Sequence, residues 1–150
     1  MSRTVRVVDA APKDVWAVLS DGWLYPMWVV GATRMRNVDD AWPATGSRLH
    51  HSAGVWPLVI DDTTESVAVD DERRLELRAR GWPLGEAQVV IELSPVDGGR
   101  RCEVVLEETA VSGPATLVPK PAETVLLGWR NVETLRRLAF IAEGRHAGTS

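Results

Sequence analysis

The chain has 150 residues, 45% hydrophobic and 25% charged, with a formal net charge of -4 from 17 basic and 21 acidic side chains. That composition suits one globular domain spanning 1–150 and excludes disordered and collagen-like classes. It provides no global cationic field for nucleic acid, and no run reaches the ~20 apolar residues needed for membrane insertion. A chain of this size buries roughly 70% of its unfolded surface, enough for a full core with a hollow inside it.

Residues Arg3 to Asp9 alternate weakly, with Val5 and Val7 on one face and Arg6 and Val8 on the other, and read as a strand. Pro12 then suits a first helical turn, and Val15, Trp16 and Leu19 follow at helical spacing until Ser20-Asp21-Gly22 stops the run. Asp21 can cap a second short helical piece through Trp23, Leu24 and Trp28, whose end Pro26 leaves open. From Ala32 to Ala110 the texture is strand-like, with turns expected at Asp39 to Gly46, Ala53 to Pro57, Asp70 to Glu72, Gly81 to Gly85 and Pro95 to Gly99. Leu75, Leu77 and Ala79 alternate with Glu76, Arg78 and Arg80, and Ala87, Val89, Ile91 and Leu93 alternate with Glu86, Gln88, Val90 and Glu92. Strands of that kind put one face on a core and the other in water, and short connections make them an antiparallel meander.

After a loop from Val111 to Lys120, Pro121 opens a long helix expected to end before Gly144. At 100° per residue, Val125, Gly128, Val132, Leu135, Ala139 and Ala142 form its covered stripe. Gly128 costs about 1 kcal/mol against alanine in mid-helix, which calls for a reason such as close approach of a backbone, a bulky side chain or a ligand. Asn131 at the stripe's edge either bonds a neighbouring loop or faces a ligand.

The order of strand, two short helices, six antiparallel strands and a long C-terminal helix, with Ala11-Pro12, Val15-Trp16, the Asp21 and Trp28 spacing, Gly46 and the Arg130-Asn131 to Leu138 segment, resembles the START-like (SRPBCC) superfamily. Within it the chain looks most like the polyketide cyclase/dehydrase and lipid-transport group. The resemblance covers essentially the whole chain and implies an α+β helix-grip fold, in which a curved sheet of about seven strands wraps around the last helix. It further implies a hydrophobic small molecule, lipid or polyketide-like, bound in a cavity between the two. The superfamily has no invariant catalytic signature.

Seven of the nine aromatic side chains are tryptophan. Such residues suit cavity walls, yet they can equally plug a cavity. Gly54-Val55-Trp56-Pro57-Leu58 and Gly81-Trp82-Pro83-Leu84 fall at alternate turns of the meander and hence at one rim. Trp56 and Trp82 there read either as a stiff gate or as plain turn shields. With Trp28, Gly128, Asn131 and Val132 they make the expected ligand-binding set.

On the last strand, Cys102, Val104 and Leu106 set an inward face that carries Glu108 to the rim, and an inward carboxylate can act as acid or base or simply pair with an arginine. His51 points inward if Leu49 does, a register that the residues leave open. Arg48 and Arg80 are weaker candidates for polarising a carbonyl. His50 and His51 are adjacent in a strand and cannot share an ion, so no metal and no cofactor is expected. One cysteine permits no internal disulfide, and Met-Ser-Arg-Thr-Val-Arg has no signal-peptide core, so a cytoplasmic protein is expected. The functions that follow are a carrier or sensor of a hydrophobic molecule, a polyketide aromatase/cyclase or dehydratase using Glu108 and His51, or an adaptor using the outer sheet face.

Overall fold

The computed structural model describes residues 2–30, 32–53, 60–81 and 85–148. Strand β1 (Ser2–Val8) leads into α1 (Pro12–Leu19), a 3-10 turn (Gly22–Leu24) and the single-turn helix α2 (Tyr25–Trp28). Then come β2 (Ala32–Val38), β3 (Arg48–Ala53), β4 (Ile60–Asp70), β5 (Arg74–Gly81), β6 (Gly85–Val96), β7 (Arg101–Ser112) and the C-terminal helix α3 (Lys120–Gly148). The strands form one antiparallel sheet in the order β1-β7-β6-β5-β4-β3-β2. Register shifts at Met35/Asn37, Ser66/Ala68 and Glu86/Ala87 mark bulges, which add bend and twist and help the sheet curve around α3.

Local chemistry explains the start of the chain. Pro12 opens α1 where a missing N–H costs nothing, and the Asp21 carboxylate accepts from the Trp23 N–H at 3.2 Å, as its capping position requires. Gly22 is needed because an added Cβ would stand 2.5 Å from Leu49 Cδ2 and 2.8 Å from Val38 Cγ1. The loop after β2 is tied down by Trp42 Nε1 donating to the Leu19 carbonyl at 3.2 Å and Ser66 Oγ donating to the Pro43 carbonyl at 2.8 Å.

The core joins Val8, Val15, Val18 and Leu19 to the inward strand residues Leu49, Leu75, Leu77, Ile91, Cys102, Val104 and Leu106, and to Leu135, Leu138, Ala139 and Ala142 of α3. Leu49 is buried and His51 with it, while His50 lies outward and meets Asp39 at 2.9 Å, which resolves the β3 register.

Three details differ from the sequence reading. Strand β7 runs on through Val111 and Ser112, the start of the expected loop. Helix α3 runs through Gly144 to Gly148, because an exposed glycine with open space around it can stay helical. Its buried face is Asn131, Thr134, Leu135, Leu138, Ala139 and Ala142, turned about 60° from the expected stripe at 100° per residue. Val125 and Val132, which define that expectation, are 70% and 55% exposed. The buried positions they would have taken hold two polar residues, Asn131 and Thr134, with the Thr134 hydroxyl accepting from the Val30 N–H at 3.3 Å.

Candidate functional site

Short helix α2 packs against α3 and β2 and buries two aromatic rings. Tyr25 and Trp28 pack edge to face with ring centroids 5.3 Å apart. Opposite them, β5 to β7 supply Leu77, Ala79, Val89, Leu106 and Glu108, and α3 supplies Arg130, Asn131 and Thr134. The hollow these residues enclose has a volume of about 20 Å³. That is room for one water-sized group and far below the ~300 to 1,000 Å³ typical of a ligand pocket. The guest-sized hollow expected from the sequence is therefore largely filled, because Tyr25 and Trp28 occupy the space between helix and sheet.

The polar part of the wall is unusual for a core. Glu108 is inward and buried, and its Oε2 stands 3.5 Å from Arg130 Nη1, longer than the ~2.8 Å of a tight charge-assisted hydrogen bond. Glu108 thus stands beside an arginine cation. Arg130 Nε, Trp28 Nε1 and Asn131 Nδ2 are buried donors without a hydrogen-bond partner. Buried polar groups are ordinarily satisfied, and the water-sized space beside these three donors is where a partner for them would sit.

Behind Tyr25 runs a hydrogen-bonded chain. The Tyr25 hydroxyl meets Thr64 Oγ1 at 3.2 Å, and Thr64 Oγ1 meets His51 Nε2 at 2.8 Å. The His51 and Tyr25 rings stack with centroids 5.5 Å apart. Burial lowers the pKa of His51 from its ordinary 6.5, against a smaller opposing pull from Asp62, so the ring is neutral at physiological pH. Burial also raises the Tyr25 pKa, opposed by its bond to Thr64. The Cys102 thiol is pushed up to about 11, again by burial, and is no nucleophile. Among the described residues no group of His, Cys, Asp and Glu is arranged to hold a metal ion.

The structure thus brings Trp28, Asn131 and Glu108 to one hollow. His51 is buried but reaches that hollow only through Thr64 and Tyr25. Val132 is on the outside of α3 and lines nothing in it. Gly128 faces Ser2 of β1, whose Oγ would be 3.7 Å from an added Cβ, so crowding is not the reason for this glycine, and it does not line the hollow. Trp56 and Trp82 lie outside the described residues. Arg48 is exposed, and Arg80 is exposed beside Glu86 and Asp62 on the outer face. Sequence reasoning missed Tyr25, Thr64, Arg130 and Thr134. Tyr25 is the one tyrosine of the chain, in the segment capped by Asp21, a signal that was there to use.

This arrangement has known relatives. The family model described as polyketide cyclase / dehydrase and lipid transport matches residues 2–139. The chain belongs to that family. No curated protein matches it. Among solved structures, protein NE0264 from Nitrosomonas europaea is 18% identical with a TM-score of 0.66, covering 97% of this chain and 95% of that one. Ara h 8.0201 is 15% identical with a TM-score of 0.65, at 97% and 96% coverage. DynU16, described as a putative protein in the dynemicin biosynthetic locus, is 21% identical with a TM-score of 0.64, and the match takes in 95% of this chain and 46% of that one. At these identities the likeness is one of fold, the helix-grip arrangement of the polyketide cyclase / dehydrase and lipid transport family. Among the described residues no helix is long and apolar enough to cross a membrane.

Proposed function

We propose that this chain is a single ligand-binding domain that takes up a small, mostly apolar molecule between α3 and the sheet and acts as its carrier or sensor in the cytoplasm. The observation that carries this reading is the uneven seating of α3. From Asn131 onward the helix contributes six residues to the buried face, whereas none of the described residues between 121 and 130 is buried. Within that first part Val125 and Trp129 are 70% and 81% exposed. A helix segment with few buried apolar contacts belongs to the low-stability end of a fold and can move without unfolding the rest. Its last residue, Arg130, is a wall of the hollow, so displacement of this segment enlarges the hollow from a water-sized space to a guest-sized one. The family description, which names lipid transport beside cyclisation and dehydration, supports a guest of that class. The buried Cys102, with no second cysteine in the chain, is consistent with a reducing compartment.

One observation favours the second reading, catalysis on a guest in the same place as in a polyketide aromatase/cyclase or dehydratase. The His51–Thr64–Tyr25 chain ends at the hollow's wall and offers a route for a proton. Against it, Glu108 already faces a cation, so an independent acid and base are not both at hand.

Native mass spectrometry of freshly purified protein tests the binding reading, with menthone added to a second sample. A retained or added apolar molecule at one per chain is expected. Protein that carries none and takes up none would overturn it.

A further inference from the structure

We infer that the outer face of α3 is a self-association surface, on which a second copy of this chain lays its own α3 antiparallel about a two-fold axis between Val132 and Glu133; this stands apart from the binding reading above. Three facts converge. The first is an exposed apolar stripe. Val125, Trp129, Val132 and Phe140 are 70%, 81%, 55% and 79% exposed. At 100° per residue these four and Arg136 fall within about 80° of one another, on one side of the helix. Four-fifths of two aromatic side chains and more than half of two valines come to on the order of 500 Å² of apolar surface, high in the range of about 300 to 600 Å² for the largest patch on a monomer. Patches of that size commonly mark interaction sites.

The second fact is spacing. Val125, Trp129, Arg136 and Phe140 are separated by steps of 4, 7 and 4, which read the same in both directions. A two-fold interface is self-complementary, each residue meeting the one that meets it in return, so an antiparallel helix pair calls for such a palindrome. A single register then satisfies the whole stripe: Val125 meets Phe140 of the second copy, Trp129 meets its Arg136, and Val132 lies beside the axis. The third fact is charge. Arg136 donates from Nε and Nη2 to the two Glu133 carboxylate oxygens, each at 2.9 Å. That ion pair leaves no net charge in the stripe, and a guanidinium held in this way can offer its face to an indole ring. A lipid surface would gain nothing from the neutral pair, and the chain's net charge of -4 opposes an anionic membrane. Two such stripes with their Arg136 and Glu133 bury about 1,000 to 1,200 Å² in total, the transient end of specific interfaces, so association belongs above roughly 10 µM and dilute protein is a monomer.

Sedimentation velocity of the wild-type protein between about 5 and about 500 µM should show monomer passing to dimer and nothing larger, as a closed two-fold pair requires. Hydroxyl-radical footprinting of the same samples should find Trp129 and Phe140 oxidised several-fold less in the concentrated one. Trp129→Glu puts a charge at the centre of the contact and should weaken association at least about tenfold. Val125→Cys mixed with Phe140→Cys should cross-link through a short bismaleimide, and neither should alone, because like positions then lie about 22 Å apart along the helices. The native Cys102 is buried and does not compete. Protein that stays monomeric throughout would overturn the proposal, and binding of that monomer to phosphatidylcholine vesicles would overturn it in favour of lipid. A dimer that leaves Trp129 and Phe140 unprotected, or that survives Trp129→Glu unweakened, would overturn it in favour of another surface. Cross-linking of either cysteine variant by itself would overturn the antiparallel register. The wild-type series and its footprint decide the matter even if every variant fails to fold.

Discussion

The two parts of helix α3 are made of similar residues and do opposite things. From Asn131 to Ala142 its inner face is core, with Leu135, Leu138, Ala139 and Ala142 buried, whereas among the described side chains between 121 and 130 none is buried and Val125 and Trp129 are exposed. Continuous helical hydrogen bonding therefore does not imply uniform seating. Side chains on the inner face decide it, and the change occurs at Arg130 and Asn131, the two residues that wall the hollow. On the proposed reading, a helix anchored at one end and loosely covered at the other admits a guest without a separate lid.

The largest expected effect lies in the anchored part. Leu138→Ala removes a fully buried side chain and should cost about 2 to 5 kcal/mol by denaturant titration. A loss under about 1 kcal/mol would mean that the anchor is not a packed core. In the loose part, Gly128→Ala should stabilise the protein by up to about 1 kcal/mol, because an added methyl meets only Ser2 Oγ at an ordinary contact distance. Loss of stability there would show closer packing than described. The smallest effect is expected from Trp129→Ala, within about 0.5 kcal/mol despite the size of the side chain removed, since 81% of it is already in water.

The sheet side of the hollow sharpens the contrast through pH. His51 is held neutral by burial, its pKa lowered from 6.5. Below about pH 6.5 the unfolded chain takes a proton that the folded ring resists, so stability present at neutral pH is lost as pH falls. Denaturation midpoints measured between about pH 7 and pH 5 should decline, and His51→Gln should flatten part of that decline. An unchanged slope in the variant would mean that His51 titrates freely.

Much of the fold is legible in the residues, for identifiable reasons. The alternation of Leu75, Leu77 and Ala79 with Glu76, Arg78 and Arg80 carries its own register, because one face meets the core and the other meets water. Glu108 could be set inward because Cys102, Val104 and Leu106 share its parity on β7. The turn of α3 could not be read, since a hydrophobic stripe is weighed by apolar residues, and here Val125 and Val132 are outside while Asn131 and Thr134 are inside. Local rules failed at the residues that wall the hollow, which is where departures from them are expected. The Tyr25–Thr64–His51 chain joins residues 39 and 13 positions apart and leaves no local pattern. The hollow's volume depends on which way Tyr25 and Trp28 turn their rings, a matter of packing that composition does not record.

The central claim is that the first part of α3 is a movable cover over the binding site. Amide hydrogen exchange along the helix, with and without menthone, tests it most directly. The account predicts that amides between 131 and 142 exchange only with global unfolding, that those between 121 and 130 exchange faster through local opening, and that menthone slows the second group alone. Uniform protection along α3, unchanged by menthone, would contradict it.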